Sequence, residues 1–236
     1  MKARIPLGRE LTLATFSGLA RYCEVLESQL ILARDTEKDS IRRQIESMNL
    51  DQDSAFVELD LAMQEHDMTF DMLLPNFFRY SFIVLLCLVF ENKLGQLSEL
   101  VHHNRPDLPA PPHPLQDATK KYKKYFIDVA AISDLNWDKL LELNKVRNCI
   151  VHASGKVHGF RHETFLVQLA AKDNGLHISG PTHDHSQKLR PLYLDDDMLV
   201  LETQYCIDAA REVRKFFVGL CDSIGLSPML IETGRG

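Results

Sequence analysis

The feature that most restricts the fold of this chain is an apolar run, FIVLLCLVF, at residues 82–90. Arg79 and Glu91 bracket the run, and Pro75 precedes it, where a proline favours the first turn of a helix. Nine residues are too few to cross a bilayer, because a membrane-spanning helix needs about 20. We therefore predict a helix from about Pro75 to His103 that is apolar nearly all round its middle and lies buried at the centre of the fold.

Amphipathic periodicity predicts two helices in the first 66 residues. Apolar residues recur at helical spacing from Leu19 to Ala33, and a second stripe begins at Ile41. The charged segment RDTEKDS, residues 34–40, separates the two stripes. We predict that this segment forms a turn between the helices.

A proline-rich segment interrupts the helical pattern in the middle of the chain. NRPDLPAPPHPL, residues 104–115, contains five prolines, which exclude a helix or a central strand and predict a surface loop. Amphipathic patterns after this loop predict three further helices, at about residues 115–132, 136–153 and 203–225.

A small β element is predicted after the second of these helices. Two apolar runs flank KDNG, in which Asn174-Gly175 is a hairpin-turn signal, and residues 192–201 are predicted to add an extended segment. The predicted fold class is therefore mainly α, a helical bundle with a small β-hairpin at about residues 163–180. The predicted parts are a helical extension (1–68), a helical domain (69–228) and a tail (229–236).

Composition limits the class of protein and leaves its function open. The 5 cysteines form no CxxC pair, a pattern typical of reduced thiols in a cytosolic protein rather than of a disulfide framework or a zinc site. The net charge of −6 argues against general nucleic-acid binding but leaves room for a local basic patch. Because no N-terminal stretch has the pattern of a signal peptide, we predict a cytoplasmic location and no membrane partner.

The stretch LNKVRNCIVHASG, residues 143–155, carries three polar side chains near the end of an apolar helix. Asn148 and His152 are four residues apart, so they lie on one face and are placed to hydrogen-bond. Arg147 and His152 are five apart, which is about 140° around a regular helix. Both can serve one site if the helix loosens near His152, which a terminating Gly155 favours, or if the arginine side chain curls around the helix.

These residue types suit metal-free cleavage of RNA. A histidine can take the 2′-hydroxyl proton or protonate the leaving 5′-oxygen, and a guanidinium can stabilise the negative charge of the transition state. Asn148 could orient the imidazole or bind a phosphate oxygen, and a two-fold dimer would supply a second histidine. The alternative is a structural role, in which His152 interacts with the helix dipole and Arg147 pairs with an acid such as Glu142.

The segment KVRNCIVHASG resembles the signature of the HEPN superfamily. That signature is an arginine, four to six residues and then a histidine, often with a polar residue directly after the arginine. Arg147, Asn148 and His152 match each part. The resemblance covers about residues 70–158, including FRYSFIVLLCLVFENKLGQL upstream and the tryptophan that precedes the motif helix.

What the resemblance implies is a HEPN-like helical bundle that forms a homodimer, with the two motifs lining a shared cleft. Arg147 and His152 would be catalytic and Asn148 would assist them, while Glu91 would approach Arg147 and assist. Active members are metal-independent ribonucleases, many of them toxins or anti-phage effectors. Other members have lost activity and act as dimerisation or partner-binding modules.

Further candidates for RNA contact flank the motif. A basic segment, KKYKK, is predicted to bind an RNA backbone while a neighbouring tyrosine stacks on a base. The alternative is a solvated basic face whose tyrosines pack inward. His158 follows the motif and is predicted to join the cleft as an assisting residue. The lysines of the candidate RNA-binding segment are Lys120, Lys121, Lys123 and Lys124.

Taken together, these patterns predict a cytoplasmic, homodimeric endoribonuclease that uses neither a metal nor a cofactor. The resemblance points to anti-phage defence or a toxin–antitoxin system, with an antitoxin or regulatory protein as a further partner. The main alternative is a catalytically inactive HEPN-like dimerisation or partner-binding module. A third is a sensor that binds a nucleotide or another small ligand. The histidine pairs at 102–103 and in HDH, residues 183–185, have no companion ligands, so no metal site is predicted.

Overall fold

A computed structural model of the chain describes residues 5–114, 116–132, 135–172, 175–180 and 197–226. The chain is mainly helical with a small antiparallel sheet, which confirms the predicted mainly-α class. The HDH segment, Asn174 of the hairpin-turn signal and the predicted tail lie outside the described residues.

The first two helices are α1 (Ile5–Ser47) and α2 (Gln52–Asp67), so two helices form as the periodicity predicts. The predicted turn at residues 34–40 is wrong, because α1 continues through this charged segment. The segment contains no glycine or proline, and its charged residues are compatible with a solvated helix. The break comes after Ser47, where Asn49 has φ 50° and the Asp51 carboxylate accepts a hydrogen bond from the Ser54 amide at 3.0 Å.

A continuous helix then runs from Gln52 to Asn104. It consists of α2, a π-helical segment (Met68–Leu73) and α3 (Leu74–Asn104), with a proline in the first turn of α3 as predicted. The predicted boundary at residues 68 and 69 lies at the start of the π-helical segment.

The apolar run in α3 is buried on one face and exposed on the other, so the prediction of burial all round is wrong. Phe82, Leu86 and Phe90 are fully buried or nearly so, whereas Leu85 and Leu88 are exposed. Successive residues of the run project in different directions around the helix axis, and the neighbouring elements of this chain cover only part of the helix surface.

By length and composition alone, one helix among the described residues, Gln52–Asn104, is apolar enough to cross a membrane. Only 28% of its most apolar window is buried in the protein. A single such helix is weak evidence for a membrane span, because the core helix of a soluble protein passes the same test. The cytoplasmic location and the lack of a membrane partner stay predictions.

The proline-rich loop is confirmed, since its described residues 105–114 form neither helix nor strand. After it come α4 (Ala118–Lys124), which continues into a π-helical segment (Tyr125–Val129), and the motif helix α5 (Asp138–Ala153).

The predicted hairpin at about 163–180 is wrong in its first strand. Residues Glu163–Ala170 form a helix, α6, with Leu166 and Leu169 buried one turn apart. A short apolar run fits a strand and a buried helix equally well, and burial at helical spacing decides here for the helix. The sheet instead joins β1 (Leu176–Ser179) to β2 (Met198–Leu201), with Leu176 opposite Leu201. The predicted extended segment at 192–201 thus supplies a strand in its described part.

The last helix, α7 (Thr203–Ser223), lies against the first half of α1. The Phe16 and Phe217 rings stack at 4.9 Å, and the Phe90 ring from α3 meets Phe217 edge-on at 6.2 Å. At the end of this contact Arg9 bonds Asp222 at 2.6 Å. The first half of α1 therefore belongs to the core that surrounds α3 and α5. The second half of α1 and α2 form a helical hairpin, residues 28–67, which we call the arm.

Candidate active site at the end of the motif helix

The end of α5, where the motif lies, is held by the loop that follows it and by α3. Ser154 has φ 52° and Gly155 φ 86°, and the Gly155 amide donates to the Cys149 carbonyl at 3.1 Å. A Cβ at Gly155 would overlap the Tyr80 hydroxyl, so glycine is required both by the backbone angle and by this close approach. The Tyr80 hydroxyl donates to the Leu199 carbonyl, and the Leu199 amide donates to Gly155 O at 2.8 Å.

His152 is exposed on the last turn of α5. Within the described parts of the chain, its imidazole makes no hydrogen bond. It lines a shallow groove that His158 also lines. The Nδ1 atom of His158 lies 3.6 Å from a Glu163 carboxylate oxygen. Its assisting role stays a prediction.

Arg147 is half-buried and is directed toward the side of α5 that faces α3. Its Nη1 donates to Asn148 Oδ1 at 2.9 Å, and its buried Nε has no partner in the described structure. Asn148 therefore bonds the arginine, and the predicted hydrogen bond between Asn148 and His152 is not formed. The structural alternative predicted an ion pair between Arg147 and an acid such as Glu142. This pairing is wrong, because the Glu142 carboxylate lies 3.1 Å from Lys139 Nζ instead.

The motif helix stays regular through Ala153, so it does not loosen near His152. Arg147 and His152 therefore leave the helix about 140° apart. Arg147 is not among the residues that line the groove at His152. One protomer alone does not bring the two predicted catalytic side chains into a single groove.

Glu91 lies within electrostatic reach of Arg147, and a polar network surrounds its carboxylate. Its assisting role stays a prediction. The Thr119 hydroxyl donates to Glu91 Oε1 at 3.3 Å and accepts from Asn144 Nδ2, so it links the two side chains. Burial raises the pKa of Glu91, although Arg147, Thr119 and Asn144 each act to lower it. The carboxylate thus sits in a partly dry environment beside a permanent positive charge.

Two members of this network were missed from the sequence. Asn144 is one helical turn before Arg147, so helical spacing was a signal for it. Thr119 gave no signal, because α4 brings it to Glu91 only through tertiary packing.

The lysine segment forms a solvated basic face. Tyr122 and Tyr125 are 7% and 4% exposed, so the prediction that a tyrosine of this segment stacks on a base is wrong and the inward-packed alternative is correct. The side chain of Lys123 is 34% exposed, and the other three lysines are exposed. Lys120 lies 3.8 Å from Asp117, and Lys123 lies 3.9 Å from Asp138. RNA binding by these lysines stays a prediction.

An exposed apolar face lies beside the motif. The helices α3 and α5 run in opposite directions, because Tyr80 meets Gly155 at one end and Glu91 meets Asn144 at the other. Both helices carry exposed apolar side chains within or next to this stretch, and we call these side chains together the α3–α5 face. Its members are Phe77 (63% exposed), Leu85 (39%), Leu88 (51%) and Val151 (47%).

Comparison of the chain with protein-family models, with curated proteins and with solved structures finds no match. No family is therefore assigned. Membership of the HEPN superfamily stays a prediction from the motif. Among the described residues, no cluster of three or more His, Cys, Asp or Glu side chains is placed to hold a metal ion.

Proposed function

We propose that the chain is a metal-independent endoribonuclease of HEPN type that acts as a homodimer. The observation that carries the proposal is an exposed His152 that forms no hydrogen bond to any described residue, at a helix end held by backbone hydrogen bonds, one turn beyond a hydrogen-bonded Arg147–Asn148 pair. An imidazole without a protein partner is available to exchange a proton with a substrate. The hydrogen bond to Asn148 Oδ1 orients the Arg147 guanidinium, which is a permanently charged group.

The proposed reaction is attack of an RNA 2′-hydroxyl on the adjacent phosphorus. One His152 takes the 2′-hydroxyl proton as the 2′-oxygen bonds to phosphorus, and a second His152 protonates the 5′-oxygen as the P–O5′ bond breaks. The products are a 2′,3′-cyclic phosphate and a 5′-hydroxyl end. Arg147 would stabilise the additional negative charge on the phosphoryl oxygens, and Asn148 would orient the guanidinium.

A second copy of the chain is the partner that the α3–α5 face favours. The face consists of exposed apolar side chains, one of which, Val151, follows Arg147 by four residues on α5, and exposed apolar side chains that cluster mark surfaces for association. Because Arg147 and His152 diverge on one helix, pairing two copies across this face would let the arginine of one work with the histidine of the other. Such a dimer would therefore cover the exposed apolar side chains and would bring the two separated catalytic side chains to one site.

Cleavage of mixed RNA in excess EDTA tests the proposal. His152→Ala is expected to lower the rate about 10²–10⁴-fold, since a general acid–base residue contributes that much. Arg147→Ala is expected to lower it about 10²–10³-fold through loss of charge stabilisation. His103→Ala removes an exposed imidazole at the end of α3 and serves as the matched control. Cleavage that survives in both motif variants, or that needs a metal ion, would contradict the proposal.

The oligomeric state completes this test. Leu88→Asp places a charge on the α3–α5 face and is expected to give monomers that no longer cleave RNA. Leu61→Asp makes the same change in the arm, where the side chain is 57% exposed, and controls for the added charge. If Leu61→Asp dissociates the dimer and Leu88→Asp does not, the dimer interface lies on the arm and not on the α3–α5 face.

A catalytically inactive dimerisation module is the second candidate. The observation that favours it is the pairing of Arg147 with Asn148 and its proximity to Glu91, because both contacts are also those of a structural arginine. A stable dimer that binds and cleaves no RNA would support this function. The anti-phage or toxin–antitoxin setting rests on the resemblance alone, and growth arrest on expression, lost with His152→Ala, would support it.

A further inference from the structure

The loop between α5 and α6 forms a groove together with the last turn of α5, where His152 lies. It is lined by Lys156, His158, Phe160 and Arg161 in addition to His152, and we call it the loop groove. Its volume of about 460 Å³ lies within the range of small-molecule sites. The groove therefore has room for a nucleotide next to the proposed catalytic histidine.

The walls of the loop groove are held by backbone hydrogen bonds. The Phe160 amide donates to Val157 O at 3.0 Å, and the Glu163 amide donates to Phe160 O at 2.9 Å. The Glu163 carboxylate accepts from the Gly159 amide at 2.7 Å, so the acid at this groove is engaged with the loop itself. A groove whose shape is fixed before binding loses little conformational freedom when a ligand enters.

Arg161 and Lys156 line the loop groove, and His162, the next residue after Arg161, is subject to further positive charge. Burial lowers the pKa of His162, and the charges of Arg161, Lys145 and Lys120 lower it further. Of the three cations that act on His162, Arg161 lines the groove and Lys145 and Lys120 do not. Arg161 is exposed, and no acid within the described ranges forms an ion pair with it. A local field of this sign attracts the phosphates of a nucleic acid.

An aromatic ring stands among these charges. Phe160 is half-buried, and the His162 ring meets it edge-on at 5.6 Å and 81°, which fixes the orientation of the phenyl group. Cationic side chains that follow a backbone, with an aromatic ring on which a base stacks, are the two features of sites for single-stranded nucleic acid. An acidic peptide would use the cations but has no need of the ring.

We propose that the loop groove binds the single-stranded RNA nucleotides adjacent to the cleaved phosphate, with Arg161 on a backbone phosphate and Phe160 against a base. The assignment of the strand as substrate rests on the proposed ribonuclease function. The groove supplies what the buried Tyr122 and Tyr125 do not, namely an aromatic contact beside basic residues. Of the KKYKK segment, Lys120 lies near enough to His162 to lower its pKa, but it does not line the groove.

Binding is measured separately from cleavage with a fluorescent, fully 2′-O-methylated RNA of about 12 nucleotides, which has no free 2′-hydroxyl to attack. Phe160→Leu keeps an apolar side chain and is expected to weaken binding at least about fivefold through loss of stacking. Arg161→Ala is expected to reduce the slope of log Kd against log salt concentration by about 0.7, the value for one phosphate contact on a single strand.

Two matched variants control these changes. Phe56→Leu makes the same substitution on the exposed arm, and Arg214→Ala removes an exposed charge from α7, so both should bind the RNA as the parent does. The proposal is overturned if the parent does not bind the oligonucleotide, or if Phe160→Leu and Arg161→Ala bind no differently from their controls. Displacement of the RNA by polyglutamate at equal charge concentration would also overturn it, in favour of an acidic protein partner.

Failure of the groove proposal and failure of the nuclease proposal give different results. If the parent and Phe160→Leu cleave unmodified RNA with the same KM, the groove proposal is wrong and the nuclease proposal stands. Binding that depends on Phe160 and Arg161, without any cleavage that His152→Ala abolishes, would retain the groove and remove the nuclease.

Discussion

Phe16 and Phe56 are the same residue type on neighbouring helices, yet Phe16 is fully buried and Phe56 is 71% exposed. Phe16 belongs to the first half of α1, which α7 covers, and its ring stacks on Phe217. Phe56 belongs to the arm, in which the second half of α1 and α2 lie against each other. The difference teaches that an apolar stripe makes a helix amphipathic, whereas a further layer is needed to remove the side chains from water.

The two helices of the arm meet at a polar contact around His66 rather than at an apolar core, and we call this contact the seam. His66 is its buried side chain of note, with Nε2 2.9 Å from the Arg34 carbonyl and Nδ1 3.0 Å from Asp67. Arg34 reaches Asp71 at 3.3 Å across the hairpin. Ion pairs between side chains as exposed as these contribute little to stability. We therefore infer that the arm is stabilised chiefly by its seam and by helix formation in each of its two helices.

The largest predicted effect separates the two regions with one substitution. Phe16→Ala is expected to lower the free energy of unfolding by about 3–5 kcal/mol, the cost of emptying a buried phenyl site. Phe56→Ala should change it by less than about 0.5 kcal/mol, because the ring is already in water. Urea unfolding followed by far-UV circular dichroism measures both.

Equal losses in the two variants would break the comparison. They would mean that Phe56 is covered in solution by another molecule. A Phe56→Ala effect that grows with protein concentration would then identify a second copy of the chain as the cover.

A smaller effect compares two arginines. Arg79 bonds the Glu27 carboxylate at 2.7 Å and the Leu201 carbonyl at 2.9 Å, with both charged side chains largely buried. Arg79→Ala is expected to cost about 1.5–3 kcal/mol, as for a hydrogen-bonded charged group. Arg34→Ala in the arm should cost much less, because water and salt screen its partners. Thermal unfolding at low and high salt measures the two losses, and a loss at Arg34 equal to that at Arg79 would contradict the description of the arm.

The smallest predicted effect is a pH dependence confined to the arm. Burial opposes the charged form of His66, but the Arg34 carbonyl and Asp67 both accept from the imidazolium, and the net result is a raised pKa. A raised folded-state pKa gives stability that is complete below pH 6.5, the ordinary pKa of an imidazole, and is lost as pH rises through the folded-state pKa. Hydrogen exchange corrected for intrinsic rates should therefore show weaker protection in α2 above this window.

His66→Gln is the control for the pH effect. It should remove the dependence in α2 and leave exchange in α7 unchanged, since α7 lies in the bundle. Protection in α2 that rises with pH, or that is the same in the variant, would show that His66 does not hold the seam.

Most of the helices could be predicted because helical periodicity is a local property. The stripe from Leu19, the proline at the start of α3 and the prolines of the 104–115 loop act within a few residues of themselves. The turn at 34–40 and the strand at 163–170 were predicted wrongly for the same reason. A charged helical segment and a short buried helix leave local patterns that also fit a turn and a strand.

The site was predicted in part. The spacing of Arg147, Asn148 and His152 on α5 followed from the sequence, and so did the proximity of Glu91 as an expectation from the resemblance. Thr119 could not be found, because its place depends on how α4 crosses α3 and α5. The hydrogen bond between Arg147 and Asn148 also depends on packing, because the guanidinium turns toward Asn148 and not toward His152.

By itself the sequence determined where helices form, where prolines stop them and which polar residues share α5, because backbone preference and side-chain period are set by near neighbours along the chain. Tertiary structure alone decided that Phe16 is buried and Phe56 is not, and that one side of α3 keeps Leu88 in water. It also decided that His152 opens onto a groove that Arg147 does not reach. Burial and the direction of a charge depend on which distant segments meet, and that is a property of the assembled chain.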